Sequence, residues 1–174
     1  MGSEHPGGLL DDGGDLGRLD QDGGLDRLGV RPQLQRHLVL VDDREQVAEV
    51  AVSKDGEVAV KRITCAVDCG IRINPNTIEA QVQSAIIYGL TAALFGEITL
   101  KDGRVEQSNF DNYRALRINE IPAIDVHIVN SDEAPGGMGE PGTCAVPPAV
   151  TNAIFAATGV RLRKLPIKPD LLKA

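Results

Sequence analysis

The sequence predicts an α+β fold, with helices packed on one side of a largely antiparallel sheet, and three observations carry that prediction. Two segments of alternating polarity, 47–52 and 57–67, flank Asp55-Gly56, a turn dipeptide suited to a hairpin. An apolar stripe at helical spacing follows over 77–95, and a second helix over 143–159 has proline in its first turn and glycine at its end. Aromatic residues are only 3% of the chain and none precedes Tyr88, so the core must be built from Val, Ile, Leu and Ala, which suits close helix packing on a sheet.

Composition divides the chain at about residue 45. Before it, Gly7-Gly8-Leu9-Leu10-Asp11-Asp12-Gly13-Gly14 and Gln21-Asp22-Gly23-Gly24-Leu25-Asp26 are nearly a low-complexity mixture. Residues 1–45 are therefore expected to be disordered, because so little apolar surface cannot offset roughly 1–2 kcal/mol per residue of backbone entropy. The Asp-Gly spacing lacks the glutamate that completes an EF-hand loop and the regular repeat of calcium-binding solenoids, so it is not read as a calcium site. Residues 46–174 are expected to form a single domain.

Within that domain the elements follow in order. After the hairpin, Asn76 and Glu79 resemble a capping box at the start of the long helix, and Ile78, Val82, Ala85, Ile86, Gly89 and Ala93 share one face. Segments 97–100 and 104–106 flank Asp102-Gly103 as a second hairpin, and 124–130 alternates as a further strand. A closing strand is expected over 161–165.

Between the last two elements lies Gly136-Gly137-Met138-Gly139-Glu140-Pro141-Gly142. Its glycines and proline suggest a tight path with positive φ, open to close approach by a large ligand, and such a loop presents Glu140 instead of burying it. Taken alone, a glutamate in a turn is ordinarily a solvated surface charge. The loop lacks the lysine of a phosphate-binding P-loop, which weakens that reading of the glycines.

Charge and cysteine content narrow the function classes. A formal net charge of −7 disfavours a nucleic-acid duplex or an anionic membrane surface as partner. No apolar run is long enough to span a bilayer, and the N-terminus shows neither a basic region nor an apolar signal core. Cys65 and Cys69 are four apart with no third and fourth ligand at suitable spacing, and His5, His37 and His127 are scattered, so buried thiols are expected in place of a zinc site.

Two blocks carry a family resemblance. The first is Gly139-Glu140-Pro141-Gly142-Thr143, followed by Pro148-Ala149 and Asn152-Ala153-Ile154-Phe155-Ala156-Ala157-Thr158-Gly159. The second is Cys65-Ala66-Val67-Asp68-Cys69-Gly70 with Ile73-Asn74-Pro75-Asn76, Ala80-Gln81-Val82 and Tyr88-Gly89-Leu90. Together they resemble the molybdenum hydroxylases, the xanthine dehydrogenase and aldehyde oxidase family. The resemblance is to the C-terminal part of the molybdopterin-binding large subunit, most nearly in the isoquinoline 1-oxidoreductase beta-subunit branch, and it runs from about residue 46 to about residue 165. It implies a fragment like the second molybdopterin-binding domain.

That resemblance implies a set of roles. Glu140 corresponds to the catalytic base, and Gln81 and Gly139 to cofactor-binding positions. The cofactor would be molybdopterin, with the cytosine dinucleotide form as one variant, and its dithiolene rather than the chain would hold the metal. The implied reaction is hydroxylation of an N-heteroaromatic or aldehyde carbon with oxygen from water, electrons leaving through [2Fe-2S] clusters on a small partner subunit. Most cofactor contacts and the substrate funnel would come from a longer N-terminal part of the large subunit. Two alternatives stay open: a non-catalytic remnant, and a segment that folds only with that upstream part. The loss of resemblance before residue 45 also suggests a mis-called start or shifted frame.

The chain departs from the pattern at two places. Gln83, Ser84 and Ala85 stand where the family usually has an acidic residue and two glycines, and Cys144 stands where proline is more usual.

Overall fold

The computed structural model describes residues 35–41 and 44–173. In chain order the elements are β1 (Gln35–Val41), β2 (Arg44–Val52), β3 (Val58–Val67), α1 (Pro75–Leu94), β4 (Leu100–Lys101), β5 (Arg104–Val105), β6 (Ala123–Ile128), α2 (Pro141–Cys144) and α3 (Val146–Thr158). The main sheet has the order β1-β2-β3-β6; its first three strands are antiparallel neighbours and β6 lies parallel to β3. A parallel neighbour needs a crossover, which α1 and the small β4-β5 hairpin supply. The mixed helix and sheet architecture is the one the periodicity indicates.

One face of the sheet carries the core. Ala48 and Val50 of β2 and Ile63, Cys65 and Val67 of β3 are buried against Val82, Ile86 and Leu90 of α1 and Val146, Ala149, Val150, Ala153 and Ile154 of α3. Nearly all these side chains are small or medium aliphatics, as the scarcity of aromatics requires. The predicted stripe of α1 is buried at Val82, Ala85, Ile86, Gly89 and Ala93, while Ile78 is half-buried and Leu90 joins the face.

Local chemistry shifts some boundaries. Asn74, not Asn76, caps α1: its side chain accepts from the Thr77 amide at 3.2 Å, and Pro75 occupies the first turn, where a missing N–H costs nothing. Glu79 instead accepts from Gln83 one turn on, at 3.1 Å. The expected helix over 143–159 is divided, with α2 ending at Cys144 and α3 beginning at Val146, because Pro147 and Pro148 lack the N–H groups that would continue a helix through them. Gly159 ends α3 in the left-handed region, φ 75°, with its N–H on the Phe155 carbonyl.

Two expectations are corrected. The segment 161–165 forms no strand; Leu162 and Ile167 pack into the core from an irregular tail, and the Ile167 amide bonds the Ala93 carbonyl at 2.8 Å instead of a sheet neighbour. The stretch expected to be disordered reached residue 45, yet Gln35–Val41 forms β1 along β2. Its Leu-Val-Leu-Val run differs from the Gly/Asp mixture before it, and pairing to β2 gives partners to the backbone groups on that side of the strand. Residues 1–34 lie outside the described residues. No described helix is long and apolar enough to cross a membrane.

Ile86 is fully buried between α1 and the sheet. Ile86→Ala should cost about 2–5 kcal/mol of stability, read as a lower midpoint in urea denaturation. A midpoint unchanged from the parent would contradict this account of the core.

Candidate active site

The glycine loop is seated by backbone before any side chain contributes. Beyond the β3-β6 pairing, the Val129 amide bonds the Val67 carbonyl, Ile71 bonds Glu133, and Gly136 bonds Cys69, at 2.9, 2.9 and 2.8 Å. Gly70 makes this approach possible. Its φ is +68°, and a Cβ there would lie 2.3 Å from the Ala134 carbonyl oxygen. The Asp68 carboxylate accepts from the Gly70 amide at 2.9 Å and holds that turn. The Cys-Gly pair of the second block thus has a structural reason, with Cys65 and Cys69 both buried and Cys144 exposed.

The loop's own glycines behave differently from the expectation. None of Gly136, Gly137, Gly139 and Gly142 has positive φ. Gly137 and Gly139 face open space, whereas Gly142 is buried, and a Cβ on it would come 2.9 Å from the Ala85 Cβ and 3.3 Å from the Val82 carbonyl oxygen. Gly89 completes the approach from α1, since a Cβ there would meet the Thr143 carbonyl oxygen at 2.7 Å and the Val146 Cβ at 2.9 Å. Closeness, not handedness, is what these positions require.

Side chains then clamp the loop from two directions. From α1, Gln81 Nε2 donates to the Gly139 carbonyl at 2.9 Å, and Thr143 Oγ1 donates back to the Ala85 carbonyl at 3.2 Å. From β2, the buried Gln46 donates through Nε2 to the Gly142 carbonyl at 2.9 Å. Glu140 sits at the N-cap position of α2 and is exposed; its carbonyl accepts from the Thr143 amide at 2.9 Å, and its carboxylate makes no capping bond.

A cleft of about 680 Å³ opens beside it, lined by Gln81, Ser84, Ala85, Tyr88, Gly139, Glu140, Pro141, Thr143 and Cys144. All three residues singled out from the sequence, Glu140, Gln81 and Gly139, are brought together here. Asp132 and Glu133 are exposed and stand outside the lining. Ser84, Tyr88, Thr143 and Cys144 were not marked as site residues by the sequence. Their signal was present on α1, because Gln81, Ser84, Ala85 and Tyr88 follow the i, i+3, i+4, i+7 spacing of one helical face. Gln46 left no such signal.

Chemically, the cleft offers one carboxylate, an amide with an acceptor oxygen and a second N–H beyond its bond to Gly139, a phenol and an exposed thiol. Tyr88 is 75% exposed, so the cleft is open to solvent along that part of α1.

A family profile, the molybdopterin cofactor-binding domain, matches residues 45–122. The chain is 40% identical over 129 residues to a membrane-bound aldehyde dehydrogenase [pyrroloquinoline-quinone] of Gluconacetobacter polyoxogenes, a match covering 73% of this chain and 17% of that protein. It is 35% identical over 145 residues to the isoquinoline 1-oxidoreductase subunit beta of Brevundimonas diminuta, covering 83% of this chain and 18% of that one. In fold it is similar to quinoline 2-oxidoreductase from Pseudomonas putida 86, with a TM-score of 0.68 at 23% identity over 74% of this chain and 18% of that chain. The chain therefore spans less than a fifth of the length of these relatives.

The packing of Gly142 on Ala85 can be measured. Gly142→Ala should destabilise by about 1–3 kcal/mol, since its methyl must displace the loop from α1. Combining it with Ala85→Gly should return about 1 kcal/mol or more relative to the sum of the single changes. Strict additivity in the double-mutant cycle would show that the two positions do not touch.

Proposed function

The chain belongs to the molybdenum hydroxylase family, in its molybdopterin cofactor-binding domain, and from that premise we propose that it supplies the catalytic base and one wall of the cofactor site. The observation that carries this reading is the hydrogen bond from Gln81 to Gly139, which brings two motifs 58 residues apart to one cleft beside Glu140. The residues present suit the group. Gln81 has donor and acceptor capacity left for a heterocycle, the backbone at Gly139 is open to close approach, and the cleft has room for a ligand of that class.

Gln81 and the Gly139 backbone would hold the cofactor on this side. When bound, it supplies two-electron oxidation of an electron-poor carbon with oxygen drawn from water. The Glu140 carboxylate takes the proton from the attacking hydroxyl, and the clamped loop keeps it oriented towards the reacting carbon. Substrate selection falls to an N-heteroaromatic or an aldehyde, in keeping with the names of the relatives. The opposite wall would come from the remainder of a large subunit, and electrons would leave to an iron-sulfur partner subunit.

The name of the Gluconacetobacter relative carries a different cofactor, pyrroloquinoline quinone. The domain match favours molybdopterin, and metal analysis separates the two. The assembled enzyme should contain stoichiometric molybdenum and no extractable quinone. The chain expressed by itself should retain neither, because the cleft is open to solvent.

Replacing Glu140 with glutamine keeps size while removing the base. Reduction of the assembled enzyme by substrate in a single turnover should slow by ~10²–10⁴-fold with cofactor content unchanged. The assignment is wrong if Glu140→Gln is reduced at nearly the parental rate while the pair Asp132→Asn and Glu133→Gln abolishes reduction.

A further inference from the structure

Gln46 lies on β2, fully buried, and the core cluster on that face of the sheet is apolar. Burying an amide carries a desolvation cost that a methionine of similar length would avoid. Among the described residues its Oε1 has no hydrogen-bond partner. Packing alone therefore gives no reason for a glutamine. Its Nε2 bond reaches Gly142, 96 residues away, and a carbonyl can be held there only by a donor.

The position of that carbonyl is informative. Glu140 is flanked by two carbonyls that are each bonded by a glutamine amide: Gly139 by Gln81 from α1, and Gly142 by Gln46 from the sheet. Gln81 is exposed at the cleft, whereas Gln46 lies beneath the loop and does not line the cleft. A loop rich in glycine has many backbone conformations to lose, and two anchors on opposite sides of one residue restrict the direction in which that residue points.

We propose that Gln46 is a positioning residue for Glu140, its buried amide fixing the Gly142 carbonyl so that the first turn of α2 holds the carboxylate over the cleft. This rests on reading Glu140 as the base. Gln46 acts through the backbone and touches neither substrate nor cofactor.

The test uses the assembled enzyme with Gln46→Met, which keeps length and removes the donor. Substrate reduction should slow roughly 10-fold to 100-fold, as expected of a misdirected group, with KM changed by less than about threefold. Hydrogen exchange across 138–145 should quicken by about fivefold to tenfold, while peptides of α1 and β3 stay unchanged. Val50→Ala, equally buried on the same strand and without a bond to the loop, should lower overall stability with no loop-specific change. The proposal is overturned if Gln46→Met leaves loop exchange at the parental rate, or if Val50→Ala reproduces the local effect.

A measurement on the unaltered enzyme covers the case in which Gln46→Met does not assemble: the Thr143 amide should exchange slowly, and exchange at a free-loop rate overturns the clamp. The exchange arm also stands apart from catalysis. A loosened loop with full turnover in both Gln46→Met and Glu140→Gln would instead sink the assignment of Glu140 as base, and with it any positioning role.

Discussion

Close approach between α1 and the Glu140 loop is the constraint on which the rest of the site depends. At Gly89 and at Gly142 a single added methyl would fall inside contact distance of backbone or Cβ atoms across the gap. Because nothing stands between helix and loop, the polar face of α1 reaches the loop directly, and Gln81, Ser84 and Tyr88 become a wall of the same cleft that Glu140 faces. The same approach fixes the start of α3, since Val146 packs under Gly89 and carries the helix on to β2.

A loop of this composition does not order itself. Glycines lose more backbone entropy than any other residue on folding, and the loop offers few apolar side chains in return. Backbone hydrogen bonds from the segment after β3, side-chain amides from α1 and β2, and the Thr143 bond to Ala85 offset that loss. Each reaches across a long sequence separation, so the loop becomes a site only once sheet and helices have assembled.

The departures from the family pattern acquire physical meaning in this arrangement. Ala85, where the resemblance leads to the expectation of a glycine, points its methyl at the hydrogen-only side of Gly142 and is buried there. Cys144, where the resemblance leads to the expectation of a proline, lies in α2 with its thiol donating to the Pro141 carbonyl at 3.3 Å and its surface exposed to the cleft. Neither side chain takes part in the two bonds that flank Glu140.

Local patterns in the sequence determined much of this protein. The period-two alternation and the Asp55-Gly56 turn specified the β2-β3 hairpin, the helical spacing of Val82, Ile86 and Ala93 specified the buried face of α1, and Gly159 specified where α3 stops. The Glu140 loop and Gln81 were legible because their motifs are contiguous. Relations across long separations were not legible: the parallel seating of β6, the tail bonded to α1 instead of forming a strand at 161–165, the close packing of Gly142 on Ala85, and the anchoring of that loop by Gln46. Periodicity reports which side of an element meets the core, because that is a property of the element alone. Which buried amide meets which carbonyl depends on the relative placement of sheet, helix and loop, and only the tertiary structure decides that.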